Sequence, residues 1–319
     1  MLNLSYNLSP ILKERLKEIE SLREKILLFP ISPVEEIRRR WETTIDKIYS
    51  SFVLSNYDID KKKLTKTLTA QINLTKGENL KNITEDDREM LGYKRALDLI
   101  SKNWNVEPKN VLVRDIFILY DTFCDGRLTS PISRLQELLD YIQAHKENPI
   151  IQAGVCYLGI ENIRPFSKGN SRLARLLSYL FLYKNGYDVK GFIEFEKSWS
   201  LDKQTYLEAL RIGLSAKSIT LWLEFFAGEI SANLSEIFEK IRLKNFDNIG
   251  LDSSFWNLND RQKEILILLQ EPNSNITNKK VQKRFKVSQI TASRDLSKLY
   301  TLGYIFQRGK GRSVYYTKF

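Results

Sequence analysis

Residues 163–175 read Ile-Arg-Pro-Phe-Ser-Lys-Gly-Asn-Ser-Arg-Leu-Ala-Arg. A glycine-containing turn runs directly into a helix that is expected to start near Ser171. The backbone N–H groups of Gly169, Asn170 and Ser171, with the positive end of the helix dipole, would form an anion cradle. Arg172 and Arg175, one turn apart, would add two cations to one helix face. The same letters also describe an ordinary helix start, so this stretch leaves both readings open until its surroundings are read.

Upstream and downstream, the pattern is helical. Ser9-Pro10 opens a helix with Leu12, Leu16, Ile19, Leu22 and Ile26 at helical spacing. Ser32-Pro33-Val34-Glu35 has the form of a capping box and opens a second helix through Ile48. Thr84 with Asp87 starts a third, and further helices are expected at 108–120, 132–144, 149–161, 171–185, 202–212 and 216–243. Asp58, Asp60 and Lys61–Lys63 read as a solvated turn. No alternating strand pattern interrupts residues 1–245, which are expected to be all-α. Residues 246–257 are rich in turn formers and are expected to be a linker.

After 257 the pattern changes. A helix at 259–270, a short helix at 277–285 and a third capped by Ser288 and ended by Gly303 precede two β-prone runs, Tyr304–Arg308 and Ser313–Thr317. Gly309-Lys310-Gly311-Arg312 joins those runs as a hairpin. Three helices followed by a basic-tipped hairpin predict a small α+β winged helix-turn-helix. The charge supports a polyanionic partner. The chain of 319 residues carries a net +11, and residues 276–319 hold eleven basic side chains against one acid, Asp295. Gln289, Ser293 and Arg294 lie off the apolar face of the third helix, where Gln and Arg suit adenine and guanine edges. Lys279, Lys280, Lys283, Lys298, Lys310 and Arg312 suit DNA phosphates. A protein-docking module remains the alternative.

The central stretch resembles the signature of the Fic family, HxFxxGNGRxxR: Pro165, Phe166, Gly169, Asn170, Arg172 and Arg175 match in order and spacing. The resemblance extends to residues 148–162, which look like the helix leading into the motif. It implies an all-helical core at 96–245, a Fic-type N-terminal helical region at 1–95, the linker at 246–257 and the winged helix at 258–319. Family activity is usually AMP transfer from ATP to a protein hydroxyl. The resemblance assigns phosphate or nucleotide binding to Lys168, Gly169, Asn170, Ser171, Arg172 and Arg175.

The departures are chemical. Arg164 stands where the family has its catalytic histidine, and a guanidinium with a pKa above about 12 cannot accept a proton. Lys168 stands where an acid would hold Mg²⁺, and Ser171 replaces the second glycine. Asp121–Ser130 is short for the hairpin flap that aligns targets. Ser51-Phe-Val-Leu-Ser55-Asn56 fits the frame of the family's inhibitory helix, with Ser55 in the glutamate's place. Arg164, Lys168, Arg172 and Arg175 are expected to surround one cradle with no acid among them.

Two cysteines and one histidine exclude a disulfide framework and a Cys- or His-based metal cluster. Cys156 is expected in the core, Cys124 partly exposed, and His145 at a helix end. No apolar run near 18 residues predicts a membrane span, and no secretory signal is expected at the start. The expectation is a cytoplasmic, DNA-binding transcriptional regulator, working as a homodimer and without membrane contact. Its degenerate Fic domain would bind ATP, another nucleotide or another phosphorylated ligand without Mg²⁺. Two alternatives stay open: an adenylyltransferase using non-standard residues, and a protein-interaction scaffold.

Overall fold

The computed structural model describes residues 4–73, 84–104, 109–144, 147–256, 258–269, 274–309 and 311–317. His145 and Lys310 lie outside them, as does the side chain of Arg312. The chain divides into two compact units, one of Met1–Leu28 with Trp41–Ile237, the other of Phe29–Arg40 with Phe238–Phe319.

Capping residues set many of the helix starts. The helices in chain order begin with α1 (Pro10–Leu28), α2 (Pro33–Leu54), α3 (Lys61–Asn73) and α4 (Glu85–Asn103). Ser32 Oγ accepts from the Glu35 N–H of α2. At α4, Thr84 Oγ1 accepts from the Asp87 N–H at 3.1 Å and the Asp87 carboxylate accepts from the Thr84 N–H at 3.2 Å, closing a reciprocal box. The expected solvated turn at 58–63 is corrected: α3 begins at Lys61, because Asp60 Oδ1 accepts from the Lys62 N–H at 2.9 Å and Leu64 and Leu68, one turn apart, are buried.

Next come α5 (Val113–Phe123), α6 (Ile132–Ala144), α7 (Pro149–Ile163) and α8 (Asn170–Lys184). Helix α7 is apolar nearly all round and buried over most of its length, which makes it the centre of the first unit. It packs on α6, α8 and α10 (Lys203–Ser215), which follows the short α9 (Glu196–Leu201). Glycines set two close approaches here. A Cβ at Gly92 would strike the Thr122 carbonyl of α5, and one at Gly154 would sit 2.8 Å from a Leu223 methyl. Tyr157, Phe195, Trp199, Trp222 and Phe226 fill the core between these helices, each worth roughly 1.5–3 kcal/mol of burial. Cys156 is fully buried and its thiol is pushed upward by that burial. Cys124, expected to be partly exposed, is buried as well.

Helix α11 spans Thr220–Trp256. The backbone is therefore helical through 246–256, where turn-forming residues predicted a linker. Asn, Asp, Ser and Gly each cost only about 0.5–1 kcal/mol in a helix, and extending an existing helix avoids a new nucleus.

The second unit contains α12 (Asp260–Leu268), α13 (Asn278–Phe285), α14 (Gln289–Thr301) and an antiparallel pair, β1 (Phe306–Arg308) and β2 (Tyr315–Thr317). Phe306 pairs with Thr317 and Arg308 with Tyr315, and Ile276 adds a bridge to Tyr316. Ile265, Ile276, Val281, Ala292, Leu296, Leu299 and Ile305 form its core. Thr277 and Ser288 cap α13 and α14. Gly303 and Gly309 both have positive φ, and Gly309 lies against the Ser313 carbonyl, where a Cβ has no room.

Candidate functional site

The corner between α7 and α8 is built by short-range stitching. Arg164 ends α7 in the left-handed conformation (φ 44°) and its side chain is exposed. Asn170 Oδ1 accepts from the Phe166 N–H at 2.9 Å, and Asn170 Nδ2 donates to the Phe166 carbonyl at 2.6 Å. The Tyr120 hydroxyl donates to the Lys168 carbonyl at 2.9 Å and accepts from the Gly126 N–H. Its ring stacks on Phe166 with centroids 3.6 Å apart. The α5–α6 connection is only residues 124–131, and it pairs with this corner through Thr129 N–H to Pro165 O (2.8 Å) and Ser167 N–H to Arg127 O (2.9 Å). That edge of the corner is thus taken by the chain itself.

The two motif arginines are buried and committed. Arg175 has no exposed surface. Its Nε donates to Ser51 Oγ at 2.7 Å, and its Nη2 donates to Ser51 O at 2.9 Å and Ser55 Oγ at 2.7 Å. Arg172 is 3% exposed. Its guanidinium lies 4.8 Å from the Phe52 and Tyr57 ring centroids and 5.5 Å from that of Phe123. It donates to Glu89 Oε2 at 2.6 Å, and the Tyr57 hydroxyl donates to the same oxygen at 2.6 Å. Burial and Glu89 together push the Tyr57 hydroxyl up to about 12.

The expectation of four cations with no acid among them is corrected. Lys168 Nζ lies 2.6 Å from Asp125, 3.7 Å from Glu85 and 3.8 Å from Glu89. The hydrogen bond to Lys168 holds Asp125 below the usual carboxylate range, and the same bond raises Lys168. Three carboxylates from two other chain segments therefore meet two of the cations, Lys168 and Arg172, while Arg175 is bonded to Ser51 and Ser55 and Arg164 is exposed at the end of α7. The cause is spatial: Glu85 and Glu89 are about 80 residues away in sequence, and α4 packs on α8. Asn170 is likewise spent on the loop. Among the residues expected at this site, Lys168, Gly169, Asn170, Ser171, Arg172, Arg175, Ser51 and Ser55 lie at this corner or on the α2 face against it. Asn56 instead has positive φ at the end of α2, and its Oδ1 accepts from Lys203.

Glu89, Tyr57 and Tyr120 are the residues that sequence reasoning missed. A signal existed for Glu89. It stands on the apolar stripe of α4 with Tyr93, Ala96 and Ile100, where an acid needs a partner. Behind Arg175, Glu196 is fully buried, accepts from the Tyr179 hydroxyl, and has its carboxyl pushed up to about 7 by burial.

Residues 126–182 match the family model described as Fic/DOC family. The chain carries a Fic/DOC-family domain. A Fic family protein from Desulfovibrio desulfuricans G20 superposes with a TM-score of 0.63 at 14% identity, covering 99% of this chain and 98% of that one. Fic-1 (aa134–508) from C. elegans gives 0.60 at 16%, covering 74% of each chain. A Fic domain containing signaling protein from Bacteroides thetaiotaomicron VPI-5482 gives 0.54 at 19%, covering 73% of this chain and 98% of that one. At these identities the likeness is one of fold. No curated protein matches the sequence.

In this Fic domain the residues present do not fit Mg²⁺. The ammonium of Lys168 stands among the nearby carboxylates, and the described residues contain no group of three potential ligands arranged for a metal ion.

In the second unit, Lys279, Lys280, Lys283, Gln289, Ser293, Arg294 and Lys298 are all exposed. Asp295, the acid of the 276–319 stretch, is buried, and its carboxylate accepts from Arg261 and from Gln262 Nε2. Burial works against its ionisation, yet those two partners hold it below the usual range. Ser293 Oγ accepts from Asn278 Nδ2 at 2.7 Å, and Lys280 Nζ donates to Asn275.

Gly169 combines a positive φ of 74° with a close neighbour: a Cβ there would lie 2.9 Å from Cys124 Sγ. Gly169→Ala is expected to cost about 2 kcal/mol in urea unfolding, from left-handed strain and the clash together. In a double-mutant cycle Cys124→Ala recovers the clash and leaves the strain. Additive losses would show that the glycine answers the backbone conformation alone.

Proposed function

We propose that the protein is a DNA-binding transcriptional regulator whose Fic domain does not perform standard AMP transfer. One observation carries the reading: the only acid in the last 44 residues is turned inward on Arg261, so that stretch adds lysines and arginines, and no carboxylate, to the surface of α13 and α14. The order of three helices and a two-stranded ribbon supports a winged helix-turn-helix, with α14 entering the major groove by its N-terminal end. Lys279, Lys283 and Lys298 would lie on phosphates, and Gln289 and Arg294 on base edges. A homodimer reading two half-sites fits this mode.

Gel shift on the DNA upstream of the protein's own gene tests it. Affinity is expected to fall steeply between 50 and 200 mM salt, about 10³-fold if six phosphates are neutralised. Lys283→Ala should reduce the slope by about one unit and weaken all sequences alike. Binding that ignores salt, or none at all, would contradict the reading and favour the protein-docking scaffold.

A second reading concerns the motif corner. Glu89 places a carboxylate on Arg172 and Tyr57, which marks a position that accepts a negative group. A phosphorylated ligand, ATP among the candidates, would bind there by displacing Glu89. Lys168 would supply the positive charge in place of a metal. Calorimetry with ATP in the presence of EDTA is expected to give weak heat with the parent and at least tenfold tighter binding for Glu89→Gln. Absence of heat from a folded Glu89→Gln variant would remove a nucleotide from the account. The adenylyltransferase alternative has less support, because Arg164 offers no proton acceptor where the family's histidine would act.

A further inference from the structure

The N-terminal turn of α14 carries an apolar side chain that its own fold does not use. The buried face of α14 is Ala292, Asp295, Leu296 and Leu299. At 100° per residue, the direction opposite that face is held by Ile290, Arg294 and Ser297. Ile290 is 65% exposed. As a β-branched residue it contributes nothing to helix propensity at a surface position, where a lysine or alanine would serve the helix better. Its flanking residues Gln289, Ser293 and Arg294 are polar and exposed.

The turn that presents Ile290 is held firmly. Asn278 Nδ2 of α13 donates to the Gln289 carbonyl at 3.2 Å and to Ser293 Oγ at 2.7 Å, and Gln282 donates to Asn278. Ser288 Oγ accepts from the Thr291 N–H at 3.2 Å, fixing the entry of the chain into the helix. These bonds occupy Ser293 and leave the outward direction to Ile290 and Arg294. A single isoleucine on a cationic helix end finds one apolar group in a major groove, the C5-methyl of thymine.

Resting on the DNA-binding reading above, we infer that Ile290 is a specificity-determining residue that selects thymine by its methyl group, with Arg294 one turn later reading a nearby guanine. Burying one methyl contributes about 0.8 kcal/mol, roughly a fourfold change in affinity.

The test is selection from random duplexes with the full-length protein at fixed salt, followed by deoxyuridine substitution in the selected site. The parent protein is expected to enrich a site with a fixed thymine whose replacement by uracil weakens binding about fourfold. For Ile290→Ala that penalty falls below about twofold, the base preference is lost, and the salt slope is unchanged. Ile290→Val, which keeps the branched methyls, retains the preference. An equal uracil penalty in parent and Ile290→Ala, or an unaltered thymine preference, overturns the inference while leaving DNA binding intact. No enriched sequence from the parent overturns the base-reading role of α14 and this inference with it.

Discussion

Two buried guanidinium groups, those of Arg172 and Arg175, organise the first unit. A buried charge is tolerated only when its donors are matched, and the requirement is geometric as well as electrostatic. Arg175 meets it with the Ser51 hydroxyl and carbonyl of α2 and with the hydroxyl of Ser55, just past the end of that helix. Arg172 meets it with Glu89 of α4 and an aromatic cage from Phe52, Tyr57 and Phe123. The two arginines thereby tie α2 and α4 to α8. Replacing either partner set would leave an unmatched charge in the core, so these helices are held in place by the motif itself.

The consequence for chemistry follows from the same contacts. An anion cradle works when its cations are presented to a ligand and its edge is free. Here Arg172 and Arg175 serve the chain, Asn170 braces its own loop, Lys168 faces three carboxylates, and the short α5–α6 connection pairs along the corner. The second unit has the opposite electrostatics, since its one acid after residue 276 is turned into the core and its lysines and arginines are not offset by it. The motif corner of the first unit balances its charge internally, while α13 and α14 expose Lys279, Lys283 and Arg294 beside an Arg284–Glu264 pair, and the proposed division of labour rests on that contrast.

Much of this architecture was legible in the letters, because its signals are local. Thr84 with Asp87, Ser32 with Glu35, Ser288 and Gly303 mark helix ends through bonds spanning three or four residues. The motif residues and the Ser51–Ser55 frame were also readable by spacing. What stayed hidden depends on contacts between distant segments. Glu89 sits 83 residues before Arg172, and nothing in residues 163–175 announces a carboxylate partner. The helix through 246–256 was missed for a different reason: weak propensity at single residues loses to continuation of a formed helix. Helix α3 was missed because its three leading lysines look solvated, while Leu64 and Leu68 carry the burial.

The most direct test of the central claim, that the motif binds its own chain instead of running the family's reaction, is incubation of the purified full-length protein with labelled ATP, Mg²⁺ and cell lysate. No transferred adenylate is expected from the parent, and none from Arg164→His, because restoring a base leaves the arginines buried and Lys168 in the acid's place. Robust labelling by the parent, abolished by Asn170→Ala, would contradict that claim.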